Sequence, residues 1–416
     1  MTKKLAAAAV ACLFTPGTAL AQSSVTISGF LKGGFETLKI GDYTTIGAGG
    51  RAVGSGRTSQ SGVVDDLSRI IFSVREDLGG GLAAIAQLDS RFPVDTGGGA
   101  LATGNSHVGL QSKSWGRIFV GRQDLHYMYT AGDIDVKNSM RADSKSLLVF
   151  AGAINARGAA VNGGTAIAGA TRTSNVIHYT TPSWGGFTGI VAYSSNPVAQ
   201  DGDIGNAASQ SIRRGNAWNL NPGYAAANWQ VGYSYWRSKP DTGITANLAA
   251  LATTTPGGIA TNYGAADQRS HRIYGNYTFG FGLKIGIAWD NSKLEGNTGT
   301  SNNTTLSKRT VWSIPVRYEF GGKHTIVGHY TWAKDDTANV LSGINNSTGA
   351  NMWAIGYNYD LSKRTAVGIT YARINNQANA GYSFFTAGTG GGLGLGNGVF
   401  AGEDPRLLAT TIRHAF

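Results

Sequence analysis

Lys32, Arg69 and Arg75 stand at alternate positions of short extended segments near the N-terminus. Alternation sends every second side chain to one face of a strand, so the three cations converge on one wall. Basic groups gathered along a narrow, wet passage concentrate anions and repel cations. Arg122 ends another such segment, but its parity matches Ile118 and Val120, so it needs a bulge or the strand's end to turn to the same side. Charges crowd again between 124 and 170, where Asp124, Asp133, Asp135 and Asp143 alternate with Lys137, Arg141, Lys145 and Arg157. A salt bridge within the passage is the competing reading for each arginine, and even then its charge adds to the field.

Catalytic chemistry finds little support. The seven histidines are scattered, with no His-Glu-x-x-His pair, no Gly-x-Ser-x-Gly elbow and no phosphate-binding Gly-rich loop with its lysine. Asp65-Asp66, Asp335-Asp336 and Glu403-Asp404 fall between strands and read as solvated pairs. His324 and His329 flank a turn without a partner set. No enzyme activity, metal or cofactor is expected.

The elements that carry these charges are strands. Sixteen alternating segments run from Val25–Glu36 to Pro405–Phe416, separated by connections that are short, then long, then short. An even number of strands with tight turns at one end and long loops at the other describes a closed antiparallel barrel. Closure satisfies the edge hydrogen bonds that lipid cannot. The predicted fold is all-β, a 16-stranded antiparallel transmembrane β-barrel wide enough to hold water. The long third loop, 124–170, is expected to fold into the pore and narrow it, because a connection of that length in a compact domain usually has a task. Aromatic residues near strand ends, among them Trp115, Trp184, Tyr274, Tyr277, Phe279, Trp312, Tyr318, Phe320, Trp353 and Tyr357, are predicted to form interfacial girdles. The connections 240–266 and 376–404, rich in Gly, Ala and Thr, read as variable surface.

Residues 1–21 have the layout of a secretory signal: Lys3 and Lys4, an apolar run, then Ala19-Leu20-Ala21. The domain expected after cleavage is a barrel over 22–416, with no cysteine, since Cys12 is the only one. Removal of two lysines and no acids takes the net charge from +11 to about +9. Lysine and arginine are dispersed singly, which argues against a nucleic-acid partner. At the other end, Leu408, Thr410, Ile412, His414 and Phe416 share one face, and the last strand stops on an aromatic group suited to a membrane boundary.

These pieces resemble the Gram-negative trimeric porins, most closely the betaproteobacterial branch. The resemblance rests on Ser24-Val25-Thr26-Ile27-Ser28-Gly29, Ser68-Arg69-Ile70, Glu76-Asp77-Leu78-Gly79-Gly80-Gly81-Leu82, Gly121-Arg122-Gln123 and Ile412-Arg413-His414-Ala415-Phe416, in that order across nearly the whole chain. It implies a homotrimer in the outer membrane, in contact with its lipid and lipopolysaccharide. It further implies passive diffusion of small hydrophilic solutes past an inward third loop, and reading of the strand carrying Ile412, His414 and Phe416 by the barrel-assembly machinery. Many relatives carry an acidic residue where this chain has Lys32, so a stronger preference for anionic solutes is expected here. A channel specific for phosphate, an organic acid or a sugar is the alternative, as is an adhesin or receptor built on the same barrel.

Overall fold

The computed structural model describes residues 23–40, 59–126, 141, 144–148, 173–197, 215–239, 267–296, 304–335, 347–378, 380–384, 399 and 402–416. Strands dominate: β1 (Ser24–Ile40), β2 (Ser59–Asp65), β3 (Arg69–Gly79), β4 (Leu82–Arg91), β5 (Ser106–Ser112) and β6 (Gly116–Gln123). One helical turn, α1 (Lys145–Leu148), interrupts the series. Then follow β7 (Thr173–Thr180), β8 (Phe187–Ser194), β9 (Asn216–Ala225), β10 (Trp229–Lys239), β11 (Asp267–Thr278) and β12 (Leu283–Gly296). The chain finishes with β13 (Thr304–Phe320), β14 (His324–Ala333), β15 (Ala350–Asp360), β16 (Thr365–Asn376) and β17 (Pro405–Ala415). Every pairing is antiparallel and joins sequence neighbours, except that β1 also pairs β3 and β17, the last of which closes the barrel.

β2 and β3 are two parts of one barrel strand. β1 pairs β2 from Gly33↔Asp65 upward and β3 from Phe30↔Arg69 downward, so one continuous partner spans the gap at Asp66-Leu67-Ser68. Leu67 takes a left-handed conformation there (φ 65°). Ser68 mends the ladder with its side chain: Oγ accepts from Lys32 N at 2.9 Å and donates to Lys32 O at 3.2 Å. The barrel thus has sixteen walls' worth of strand, as predicted, but the second begins at Ser59 rather than after Ser68. The kink hides the first half from a search for unbroken alternation.

The apolar surface is outside. Val25, Ile27, Leu31 and Phe35 of β1 are exposed, whereas Lys32 and Glu36 on the opposite parity are buried. The same inversion recurs around the barrel, with Asn219, Ser234, Ser270, Asp290, Ser292 and Thr331 buried on the inner face. No helix among the described residues is long and apolar enough to cross a membrane. The spanning elements are the strands. At the closing seam Phe416 N donates to Gly29 O (3.2 Å) and Gly29 N to Phe416 O (3.3 Å). β1 and β17 lie so close that a Cβ on Gly34 would fall 2.0 Å from Thr410 O, which excludes any side chain there.

Candidate functional site

The site is the barrel interior and the loop between β6 and β7. That loop enters the barrel at its first residues. Leu125 and His126 are fully buried, and His126 Nδ1 and Nε2 each lie 2.8 Å from a wall hydroxyl, Ser234 Oγ on β10 and Ser270 Oγ on β11. Ser270 gives its own proton to Asp290 Oδ2 (2.9 Å), so it accepts from Nε2–H and leaves Nδ1 to accept from Ser234. Burial, with the Arg272 charge second, lowers the pKa of this loop histidine from 6.5 to about 4, so it is neutral at pH 7.

Arg272 on β11 then holds the loop at two points. Its Nη1 donates to His126 O (3.1 Å) and its Nη2 to Leu148 O (3.0 Å), while Nε donates to Asp290 Oδ2 (3.0 Å) on β12. All three groups are buried, so the arginine charge is compensated by a carboxylate and its donors are spent on carbonyls. Arg309 on β13 repeats the device. Nη2 donates to Leu147 O (3.1 Å) and Nη1 to Tyr382 Oη (2.6 Å), with the guanidinium lying over the tyrosine ring. Tyr382 belongs to the connection between β16 and β17, where Ala380 and Val399 are buried as well. The expectation of a variable surface for 376–404 therefore fails for these residues, which reach inward and meet the third loop at Arg309.

Across the lumen, Arg141 fixes the loop to the opposite wall. Nε pairs with Glu36 Oε2 (2.8 Å) and Nη1 with Asp66 Oδ1 (3.0 Å), and its backbone N donates to Thr370 Oγ1 (3.1 Å) on β16. Lys32 pairs with the other oxygen of Asp66. Asp65 and Asp66 are thus not a solvated pair: Asp65 is buried, and Asp66 neutralises two cations inside the barrel. Glu403 and Asp404 are likewise buried, Asp404 being paired with Arg373 (3.2 Å).

The predicted basic strip is present on β1 and β3 but unevenly charged. Lys32 is compensated by Asp66, and Arg69 has Asp89 at 3.8 Å. Arg75 faces the same side, exposed, and donates to Gln111 Oε1 (3.3 Å), with no carboxylate in ion-pair range among the described residues. Arg122 sits at an irregularity in the β6–β7 register, yet it lines a shallow depression shared with Val120 and Ile177, both outward-facing. Asp133, Asp135 and Lys137 lie outside the described residues. Ile412, His414 and Phe416 stand on the outer face, His414 Nδ1 being 2.9 Å from Thr365 Oγ1.

One girdle residue is misplaced by the sequence reading. Tyr274 points inward, flat over Gly232, where a Cβ would come within 2.3 Å of its ring end, and its Oη donates to Asn221 Oδ1 (3.2 Å). Arg272, Arg309 and Arg413 are lumen groups that the sequence reading passes over. Arg272 was findable, since it occupies the inward parity of Gln268 and Ser270 and pairs across strands with Asp290. Arg309 has no such signal, because its partners are carbonyl and phenol groups distant in sequence. No three His, Cys, Asp or Glu side chains gather in a metal-holding group among the described residues.

Known proteins match this architecture. A family model described as Gram-negative porin matches residues 6–379. An outer membrane porin of Bordetella pertussis is 26% identical over 381 residues, covering 88% of this chain and 92% of that protein. Outer membrane porin protein 32 of Delftia acidovorans is 28% identical over 419 residues, covering the whole of both chains. Among solved structures, an anion-selective porin from Comamonas acidovorans superposes with a TM-score of 0.64 at 20% identity, over 95% of this chain and all of that one. The matched segment takes in the inward loop and nearly every strand that surrounds it, and the chain belongs to the Gram-negative porin family, channels of the outer membrane rather than enzymes.

Proposed function

We propose that this porin is a general diffusion pore that prefers anions, with the third loop as its constriction. The observation that carries the reading is the split between compensated and uncompensated lumen charges. Acids offset Lys32, Arg69, Arg141 and Arg272, whereas Arg75 and Arg413 face the lumen with no carboxylate in ion-pair range among the described residues. With a mature charge near +9, the surplus inside is positive and raises the local concentration of anions. Among the described residues the inner wall is chemically mixed, its aromatic residues separated rather than set in a continuous track for sugars, which favours general diffusion over a specific channel. The name of the Comamonas relative, an anion-selective porin, agrees with this reading.

The same reading includes assembly. Residues 1–21 serve as the export signal, and the outer face of the last strand, with Ile412, His414 and Phe416, serves the assembly machinery. The mature protein is a homotrimer in contact with lipopolysaccharide and lipid, and a Vibrio cholerae relative is described in a trimer form. Its contact surface is the outer wall of β1–β6, where Ala84, Ala86 and Gly33 leave a low relief suited to close packing between barrels. Reversal potential of the folded protein in a planar bilayer under a KCl gradient tests the selectivity. A shift toward the chloride potential is expected, and a shift toward potassium overturns it.

A further inference from the structure

At the seam between the first and last strands, cations and an aromatic ring meet on the inner face. Phe30 of β1 points into the lumen with a strand carrying an arginine on either flank. The guanidinium carbon of Arg413, on β17, lies 4.3 Å from the Phe30 ring centroid, and that of Arg69, on β3, lies 4.8 Å from it. Arg413 stands opposite Lys32 in the register, one inward position from Phe30. Toward the other end of β1 the cations meet acids: Lys32 and Arg141 share Asp66, and Arg141 also takes Glu36. Arg69 has Asp89 at 3.8 Å. Arg413 has no carboxylate in range among the described residues, and the ring is its partner.

We propose that Arg413, Phe30 and Arg69 form a weak oxyanion-binding subsite in the pore, on the far side of the Arg141 anchor from the loops. A guanidinium laid against a phenyl face keeps its charge and presents its edge, where paired N–H groups match the two oxygens of a carboxylate or phosphate. The ring also fixes the plane of the fork, so less side-chain freedom is lost on binding. A halide, lacking two oxygens, takes no advantage of that fork. The subsite therefore retains oxyanions briefly while chloride passes. It rests on the anion-preferring reading above and adds a chemical class to it.

The experiment is single-channel recording of the full protein in KCl, with succinate or inorganic phosphate titrated into one chamber. Wild type is expected to show saturable block by one or both, and the two titrations tell carboxylate from phosphate. Arg413→Gln should weaken that block by about tenfold or more, and Arg413→Lys, which keeps the charge but not the fork, should weaken it nearly as far. Phe30→Leu should weaken it while leaving both arginines in place. Arg413→Lys should retain the wild-type chloride over potassium preference, which separates the subsite from the field. Absence of saturable block in wild type, or block unchanged in Arg413→Lys and Phe30→Leu, overturns the subsite while the anion preference stands. Cation preference in wild type overturns the underlying reading instead.

Discussion

The two sides of the barrel differ on both faces. On the strands β1–β6 the outward aromatics are Phe35 and Phe72, and the described residues from Ser24 to Gln123 hold no tyrosine and a single tryptophan, Trp115, in a turn. From β7 to β17 the outer face is ringed with them, including Tyr179, Trp218, Trp229, Tyr277, Trp289, Trp312, Tyr330 and Trp353. Tyrosine and tryptophan suit the membrane boundary because one end is apolar and the other seeks water. The inner faces divide the same way: β1 and β3 carry lumen cations, whereas β11 and β13 carry buried arginines committed to holding loops. One side carries small outward residues and lumen cations, the other boundary aromatics and anchoring arginines.

Several substitutions would break or sharpen this contrast. Ala86→Trp, on the outer face of β4, should abolish the trimer proposed above, read as the band on an unheated gel, while Ile287→Trp on β12 should leave it intact. Equal behaviour of the two variants removes the distinction between the walls. Next in size, Arg272→Gln leaves the buried Asp290 charge with serine hydrogen bonds but no arginine and removes two contacts to the loop. A loss of about 3–5 kcal/mol in urea unfolding is expected, with larger and noisier conductance steps. Unchanged conductance would separate the loop from the constriction.

Acid should act on the same anchor more gently. His126 faces Arg272 on β11 and Asp290 on β12, and its folded pKa of about 4 lies below its unfolded value of 6.5. Its contribution to stability is complete above pH 6.5 and is lost as the pH falls toward 4, because the unfolded chain takes up the proton first. The loss is about 2 kcal/mol by pH 5. Unfolding midpoints measured between pH 7 and 4 should show this slope, and His126→Gln should flatten it. Smallest in stability is Arg75→Gln on the opposite wall, expected within about 0.5 kcal/mol of wild type. Its reversal potential should nevertheless move toward potassium.

Much of this contrast is legible along the chain, and the limit is set by distance in sequence. Period-two patterning told Lys32 and Glu36 from Val25, Ile27, Leu31 and Phe35, because a strand between lipid and water must alternate. It failed at β2, where the left-handed Leu67 breaks the alternation that defines a strand. It also misassigned Tyr274, since aromatic type alone does not say which face a ring takes when a glycine beside it leaves room. Arg141 reads as a lumen charge, yet its partners Glu36, Asp66 and Thr370 lie far away in the sequence, and nothing local announces a latch. For the same reason Arg309 and Tyr382 were invisible until folded together.

That latch bears on how the barrel comes apart. Arg141 joins β1 and the Asp66 break to β16, on the two sides of β17, and so stitches across the seam where the first and last strands meet. Lateral opening along that seam would have to break the Arg141 contacts as well as the β1–β17 ladder, which couples it to release of the loop. Resistance to denaturation is then a matter of rate, with a lifetime set from inside the pore.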